Sequence, residues 1–419
     1  YKGDKKQCTI EYVNRIDPSK SFTASGVQIN VQGTSSAGYR KKNFKISYKK
    51  GFDITESGEH VDGYKLRDTS IPAKVFTMKA DVASSENANN VKLVDYYNTL
   101  CPYKTPPQVA DSRVRQGVDG IPIVIFWENT GATPSVTRFE GKYNANDDKS
   151  SVEVFGLTEG CESWEFRNNT SNRMLFKVSD YGDGWLNDFE ARYPEDNIDF
   201  TNLKRMTDWV VSTDREQATD GVLETPVIYN GIQYTTDSSD YRLAKFKTEF
   251  EDYFIKDAMI FYYLFTEIFL MVDSRAKNFF ASTFDGIHWM PLPYDYDTAL
   301  GINNEGVLAF SYDLEDTDTV GGENVFNGQT SVLWCNIRDV FGNDIKKMYQ
   351  DLRSEGYLSY EVLRDIYIKH QSAWPEALWN EDAYEKYLQP LIINNDKTYL
   401  PMIQGDKSSQ RDWWLFNGF

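Results

Sequence analysis

Period-two alternation dominates the first third of the chain. Val27, Ile29 and Val31 alternate with polar positions, Gly33-Thr34-Ser35-Ser36-Ala37-Gly38 interrupts them, and Phe44, Ile46 and Tyr48 resume the pattern. This predicts a strand, a small-residue loop and a second strand. Because successive side chains of a strand point to opposite faces, Lys45 falls on the face opposite Phe44 and Ile46. Residues 75–78 form another β-like stretch, running into Lys79-Ala80-Asp81 and then a polar, helix-compatible segment holding Glu86, Asn89 and Asn90. The nearly continuous apolar run over residues 120–127 predicts a strand covered on both faces. Residues 141–149 pass from strand character into a polar connection, and residues 152–157 turn apolar again.

Beyond about residue 185 the period changes to that of helices. Asp199 is an N-cap for an amphipathic stretch reaching Val211. Phe246, Phe250 and Phe254, then Phe261, Phe265 and Phe269, recur every four residues, which predicts a long helix with a buried aromatic stripe over residues 246–271. Further helices are expected near residues 337–354, 359–370 and 381–388. A β-rich first part followed by a helix-rich second part predicts an α+β fold. The 419 residues suffice for two lobes sharing a cleft, here divided as 1–160 and 161–419.

Composition narrows the function. A net charge of −18 argues against general nucleic-acid binding, which needs a positive surface. Any phosphate site must be locally basic, and Arg40, Lys41, Lys42, Lys45, Lys49 and Lys50 form the clearest positive island. Cys8, Cys101, Cys161 and Cys335 lack the spacing of a zinc site or a disulfide scaffold. His60, His288 and His370 offer few bases for histidine-dependent nucleophilic catalysis. The apolar stretch over residues 258–272, about 15 residues, falls short of the roughly 20 needed to span a bilayer. The sequence starts at Tyr1 without methionine, suggesting a processed product or a piece of a longer polypeptide. Asn168 begins an Asn-x-Thr sequon.

The chemistry gathers after the aromatic stripe. Asp273-Ser274-Arg275-Ala276-Lys277-Asn278 is followed by Phe279-Phe280, a turn at Asp285-Gly286, and Pro293-Tyr294-Asp295-Tyr296-Asp297. An aspartate five residues before an asparagine is the spacing of a kinase catalytic loop, where the first accepts a hydroxyl proton and the second holds a metal. A hairpin then returns Asp295, with Asp297 beside it, to the same cleft. Carboxylate and amide oxygens suit Mg²⁺, with phosphates completing its shell. A paired-carboxylate glycosidase site would also use Asp273 and Asp295, but has no need of an upstream cationic loop.

Together the Gly33-Thr34-Ser35-Ser36 loop, the Lys41-Lys42-Asn43-Phe44-Lys45-Ile46 strand, the 273–278 loop and the Pro293-Tyr294-Asp295-Tyr296-Asp297-Thr298-Ala299-Leu300-Gly301 ending resemble the CotH-like family of atypical, spore-coat kinases. The resemblance spans roughly residues 26–350. It implies a two-lobed kinase-like fold and transfer of phosphate from ATP, with Mg²⁺ or Mn²⁺, to a protein hydroxyl. In that assignment Asp273 is the catalytic base, Asn278, Asp295 and Asp297 hold metal, and Gly33, Ser35, Ser36 and Lys45 contact nucleotide. Glu86 is the first choice for a helix carboxylate pairing the strand lysine, and Asp81 the second. Gln32 stands where the family more often has arginine. Residues 141–149 are similar to versions carried in bacteriophage structural proteins. The resemblance therefore places the chain on a spore coat or virion, outside the cytoplasm, with a protein substrate or coat protein as partner. A fold-retaining, catalytically inactive coat or virion component is the alternative expectation.

Overall fold

The computed structural model describes residues 3–33, 36–38, 41–82, 88–166, 189–271, 274–275, 278–301, 319–320, 323–324 and 331–383. The fold is α+β. Strands β1 (Lys6–Tyr12), β2 (Phe22–Gln32), β3 (Asn43–Ser47), β4 (Phe52–Ile54), β5 (His60–Val61), β6 (Val75–Lys79), β7 (Gly120–Asn129) and β8 (Val136–Asp147) form one antiparallel sheet. Its order is β5-β4-β2-β3-β6-β8-β7, with β1 paired to β2. Register explains its two-faced character. Ile29 lies opposite Ile46, Phe44 opposite Met78, Ile46 opposite Phe76, and Met78 opposite Ala145. Cross-strand partners share a face, so these side chains build one apolar core together with Phe22, Phe52 and Tyr143.

The 120–127 run corrects the expectation of a strand covered on both faces. β7 is an edge strand paired only with β8, half-buried along most of its length, and Phe126 is exposed. Its apolar residues cover the flank of the sheet, where Trp127 packs edge-on against Phe44.

Between β6 and β7 a π-helical turn, Asn89–Leu93, runs into α1 (Val94–Leu100), and α2 (Pro106–Ala110) follows. Ala88, Leu93, Val94 and Tyr97 pack into a second, larger core, so this segment leaves the first sheet and seats on the helical body. That body holds α3 (Thr201–Ser212), α4 (Ser239–Glu249), α5 (Lys256–Ile268), α6 (Val332–Ser354), α7 (Tyr360–Gln371) and α8 (Glu376–Ala383). It also carries a four-stranded antiparallel sheet, ordered β10-β9-β13-β14, of β9 (Glu162–Phe166), β10 (Phe189–Tyr193), β13 (Phe279–Thr283) and β14 (Trp289–Pro293). A small antiparallel ribbon joins β11 (Val222–Tyr229) to β12 (Ile232–Thr236).

The aromatic stripe is buried as expected, but the single long helix is not formed. After α4 and a 3₁₀ turn over Phe250–Asp252, Tyr253 and Ile255 turn their backbone to β14. Trp289 N donates to Tyr253 O at 2.7 Å and Ile255 N to Trp289 O at 3.0 Å. Two intersegment hydrogen bonds replace helical ones, and the Phe250–Phe254 stacking survives across the break. Thr201 opens α3 with its N–H on the Asp199 carboxylate, so the helix starts within one turn of the expected cap. No helix among the described residues is long and apolar enough to cross a membrane.

Candidate functional site

The other face of the large sheet is polar for the same reason that its back is apolar. Asn30 lies opposite Lys45, Lys45 opposite Thr77, and Thr77 opposite Asn146; one pleat along, Lys79 lies opposite Asn144. Lys45 and Lys79 therefore project from the same face of the sheet.

Across from it, β13 and β14 pair in register with Phe279 opposite Pro293. Asn278 precedes β13 and Asp295 follows β14 with one residue between, so both lie at the open end of the hairpin. Both have a left-handed backbone, φ 61° in each case, which asparagine and aspartate tolerate better than other non-glycine residues. Tyr294 and Tyr296 are buried while Asp295 and Asp297 between and after them are only half-buried, so aromatic anchors flank two carboxylates that stay partly exposed. Tyr294 stacks on Phe280 at 5.2 Å and Tyr296 on Phe265 at 6.1 Å.

Lys79 ties the large sheet to the β13–β14 hairpin: its Nζ donates to Asp295 Oδ1 at 2.8 Å. Burial works against its charge, but the carboxylates of Asp295 and Asp297 outweigh burial and hold its pKa well above the ordinary lysine value. Asp81 lies two residues on, buried, with φ 44°. Asn90 Nδ2 and Asn144 Nδ2 each donate to its carboxylate at 2.8 Å. Burial raises the Asp81 pKa, and the Lys79 charge opposes that rise. Since the Asn144 amide nitrogen faces Asp81, its oxygen faces His370, whose ring Nε2 donates to it at 3.1 Å. Buried polar groups thus run from α7 through β8 to the carboxylate beside Lys79.

Lys45 points into the same face but is held by Asp148 Oδ1 at 2.9 Å and Ser150 Oγ at 3.1 Å. Asp148 also accepts from Thr77 Oγ1 at 2.8 Å and faces Gln32 Nε2 at 3.5 Å. Burial pushes the Asp148 carboxyl up, and Lys45 more than compensates, bringing it to about 2. Lys149 completes this rim: its Nζ meets Glu165 at 2.7 Å and lies 5.2 Å from the Tyr294 ring. Arg192 pairs the same glutamate.

Of the residues singled out in the sequence, Asp295 and Asp297 both lie beside Lys79, Asn278 precedes the strand paired with β14, and Lys45 lies on the sheet face that carries Lys79. Gly33 ends the described part of the loop with φ 110°, a conformation suited to glycine. Ser36 Oγ accepts from Asn43 Nδ2 at 3.3 Å, facing the strand that leaves the loop. Ser35, Glu86 and Asp273 lie outside the described residues. Lys79 is the residue that sequence reading passed over as the cation of this site. Its signal was the position closing the third β-like stretch, on the same pleat face as Lys45. Within the basic island Lys41 is buried on Asp382 and Lys42 Nζ donates to Ala37 O at 2.8 Å, while Lys49 and Lys50 are exposed and Arg40 lies outside the described residues.

Asp295 and Asp297, both beside Lys79, and Asn278 at the same end of the hairpin carry oxygen donors, a chemistry that suits Mg²⁺ better than a softer ion. Among the described residues no group of three or more His, Cys, Asp or Glu side chains gathers to hold a metal. All four cysteines are free. No protein-family model matches the chain, and no curated protein matches it.

Proposed function

We propose that the cleft binds Mg²⁺–ATP, or Mn²⁺–ATP, and transfers the terminal phosphoryl group to a protein hydroxyl, on a two-lobed kinase-like fold of the CotH type. The observation that carries this reading is the Lys79–Asp295 ion pair, which brings a buried cation from the end of β6 onto the acid after the hairpin. Phosphoryl transfer needs positive charge on the phosphates and oxygen donors for a metal, facing each other across a closable cleft. Lys79 and Lys45 supply the first. Asn278, Asp295 and Asp297 supply the second, and a divalent ion there would neutralise charge on the β- and γ-phosphates.

In the reaction so proposed, the acceptor oxygen attacks the γ-phosphorus, the bond to the β–γ bridging oxygen breaks, and its electron pair leaves with ADP. Asp273 receives the hydroxyl proton. Asp81, braced by Asn90 and Asn144, would add negative charge near Lys79, and Asp295 would be the carboxylate available to hold the ion. A protein acceptor, and a spore-coat or virion setting, follow from the sequence resemblance alone. Binding is tested by thermal unfolding of the full chain with ATP, with and without Mg²⁺. A rise in midpoint that requires both, and is lost in Asp295→Asn, supports the reading; equal midpoints in every condition overturn it.

A further inference from the structure

Helix α7 turns a polar side toward the end of β6. Tyr367 and His370, three residues apart, share one face of the helix. Tyr367 Oη donates to Asn89 Oδ1 at 2.6 Å, and His370 Nε2 meets Asn144 Oδ1 at 3.1 Å. Asn89 opens the π-helical turn, and Asn144 lies on β8 opposite Lys79. Beside Asn89, Asn90 Nδ2 donates to Asp81 Oδ1, and Asn144 Nδ2 donates to Asp81 Oδ2, each at 2.8 Å. One carboxylate is thus gripped from two elements, and α7 touches both of them. His370, Asn144, Asn90 and Asp81 are all buried.

What this grip holds is a turn. β6 ends at Lys79, the Ala80 N–H donates to Asn43 Oδ1 at 2.7 Å, and Asp81 takes φ 44°. A non-glycine residue keeps such a left-handed backbone only where its surroundings over-determine it. Two residues before the turn, Lys79 reaches Asp295. The direction of the Asn144 amide matters because it has a donor end and an acceptor end. A carboxylate accepts, so the amide nitrogen faces Asp81, and the oxygen faces a ring nitrogen of His370 that must carry a proton. We propose that His370 is a positioning residue for the candidate site: its Nε2–H fixes the Asn144 amide with the nitrogen on Asp81, and the doubly bonded Asp81 carboxylate fixes the turn that aims Lys79 at Asp295. The clamp is read from these hydrogen bonds. Its effect on nucleotide rests on the function proposed above.

The chain has three histidines, so nitrogen NMR of labelled histidine rings resolves them, with His60→Gln and His288→Gln identifying the other two signals. In the folded chain His370 should carry a proton on Nε2; a bare Nε2 overturns the proposal, and this measurement needs no change at residue 370. Two substitutions then separate hydrogen bonding from packing. Phenylalanine keeps a ring edge-on to Trp374, as His370 stands at 5.3 Å, but has no donor, whereas glutamine loses the ring and keeps an N–H. By hydrogen exchange on the full chain, amides of residues 79–81 should exchange at least about tenfold faster in His370→Phe than in the parent, with α5 unchanged, and within about threefold of the parent in His370→Gln. The opposite order, with glutamine the faster, marks a residue that only packs and overturns the clamp. Affinity for Mg²⁺–ATP should follow the same order, about threefold weaker or more in His370→Phe and near the parent's in His370→Gln. Unchanged affinity in His370→Phe beside faster exchange overturns the positioning role. Faster exchange in His370→Phe of a chain whose parent takes no nucleotide leaves the clamp standing and removes the nucleotide reading.

Discussion

Two lysines on one strand face separate by their partners. Lys79 meets the acid at the hairpin mouth, whereas Lys45 is held by Asp148 at the rim. Lys79→Met should therefore weaken Mg²⁺–ATP binding by at least about tenfold, in keeping with loss of a charge-assisted hydrogen bond worth roughly 1.5–3 kcal/mol. Lys45→Met should weaken it less, and titration calorimetry on both variants would reveal the order; the reverse order would move the phosphate site to the rim. Asp147 makes a separate prediction about pH. Its Oδ1 has no hydrogen-bond partner, and burial, then the neighbouring Asp119 charge, raise its pKa to about 8. The folded chain thus keeps a proton that the unfolded chain, with an ordinary aspartate near 3.9, has already released. Stability should fall as pH rises from about 4 to about 8, because there the unfolded state binds fewer protons. Asp147→Asn, which mimics the neutral acid, should flatten that part of the curve in urea titrations. Asp148 acts in the opposite direction: its carboxyl, lowered to about 2, contributes stability above the unfolded value and loses it as pH falls toward 2.

At the scale of elements, periodicity in the sequence located most segments and misjudged those whose form is set by distant partners. Phe250 is fully buried against Phe246, Phe254 and Phe341, so Phe250→Ala should cost about 3–5 kcal/mol. Phe126, exposed on the edge strand, should cost no more than about 0.5 kcal/mol on the same change. Equal losses in urea unfolding would mean that β7 is covered in solution. The β13–β14 hairpin was legible because Asp285-Gly286 marks its turn locally: Asp285 Oδ1 accepts from Ile287 N and His288 N at 2.8 Å each. The break between α4 and α5 was not legible, since a four-residue aromatic repeat continues through it and only pairing with Trp289 interrupts the helix. Lys79 escaped notice for a related reason. Lys45 has a conspicuous basic neighbourhood in sequence, but only strand order and register show Lys79 meeting Asp295 from 216 residues away.

At the scale of the whole molecule, the two cores are tied in several places. α1 follows β6 yet packs with the helical core, a third cluster joins Val118 and Phe155 to Phe280 and Leu292, and Asp382 returns the far end of the described chain to Lys41. Thermal unfolding should accordingly be one cooperative transition by calorimetry, with equal calorimetric and van't Hoff enthalpies. Two resolved transitions would mean that the two cores unfold independently. The central claim is that the chain transfers phosphate, and the most direct measurement is incorporation of label from γ-labelled ATP, in Mg²⁺ or Mn²⁺, into protein by the parent, Asp273→Asn and Asp295→Asn chains. Asp295→Asn should lose both nucleotide binding and transfer. Asp273→Asn should keep its nucleotide affinity while transfer falls by about a hundredfold or more, the contribution of a positioned general base. Label transferred at the parent rate by both variants, or by none of the three chains with any protein offered, would contradict the account.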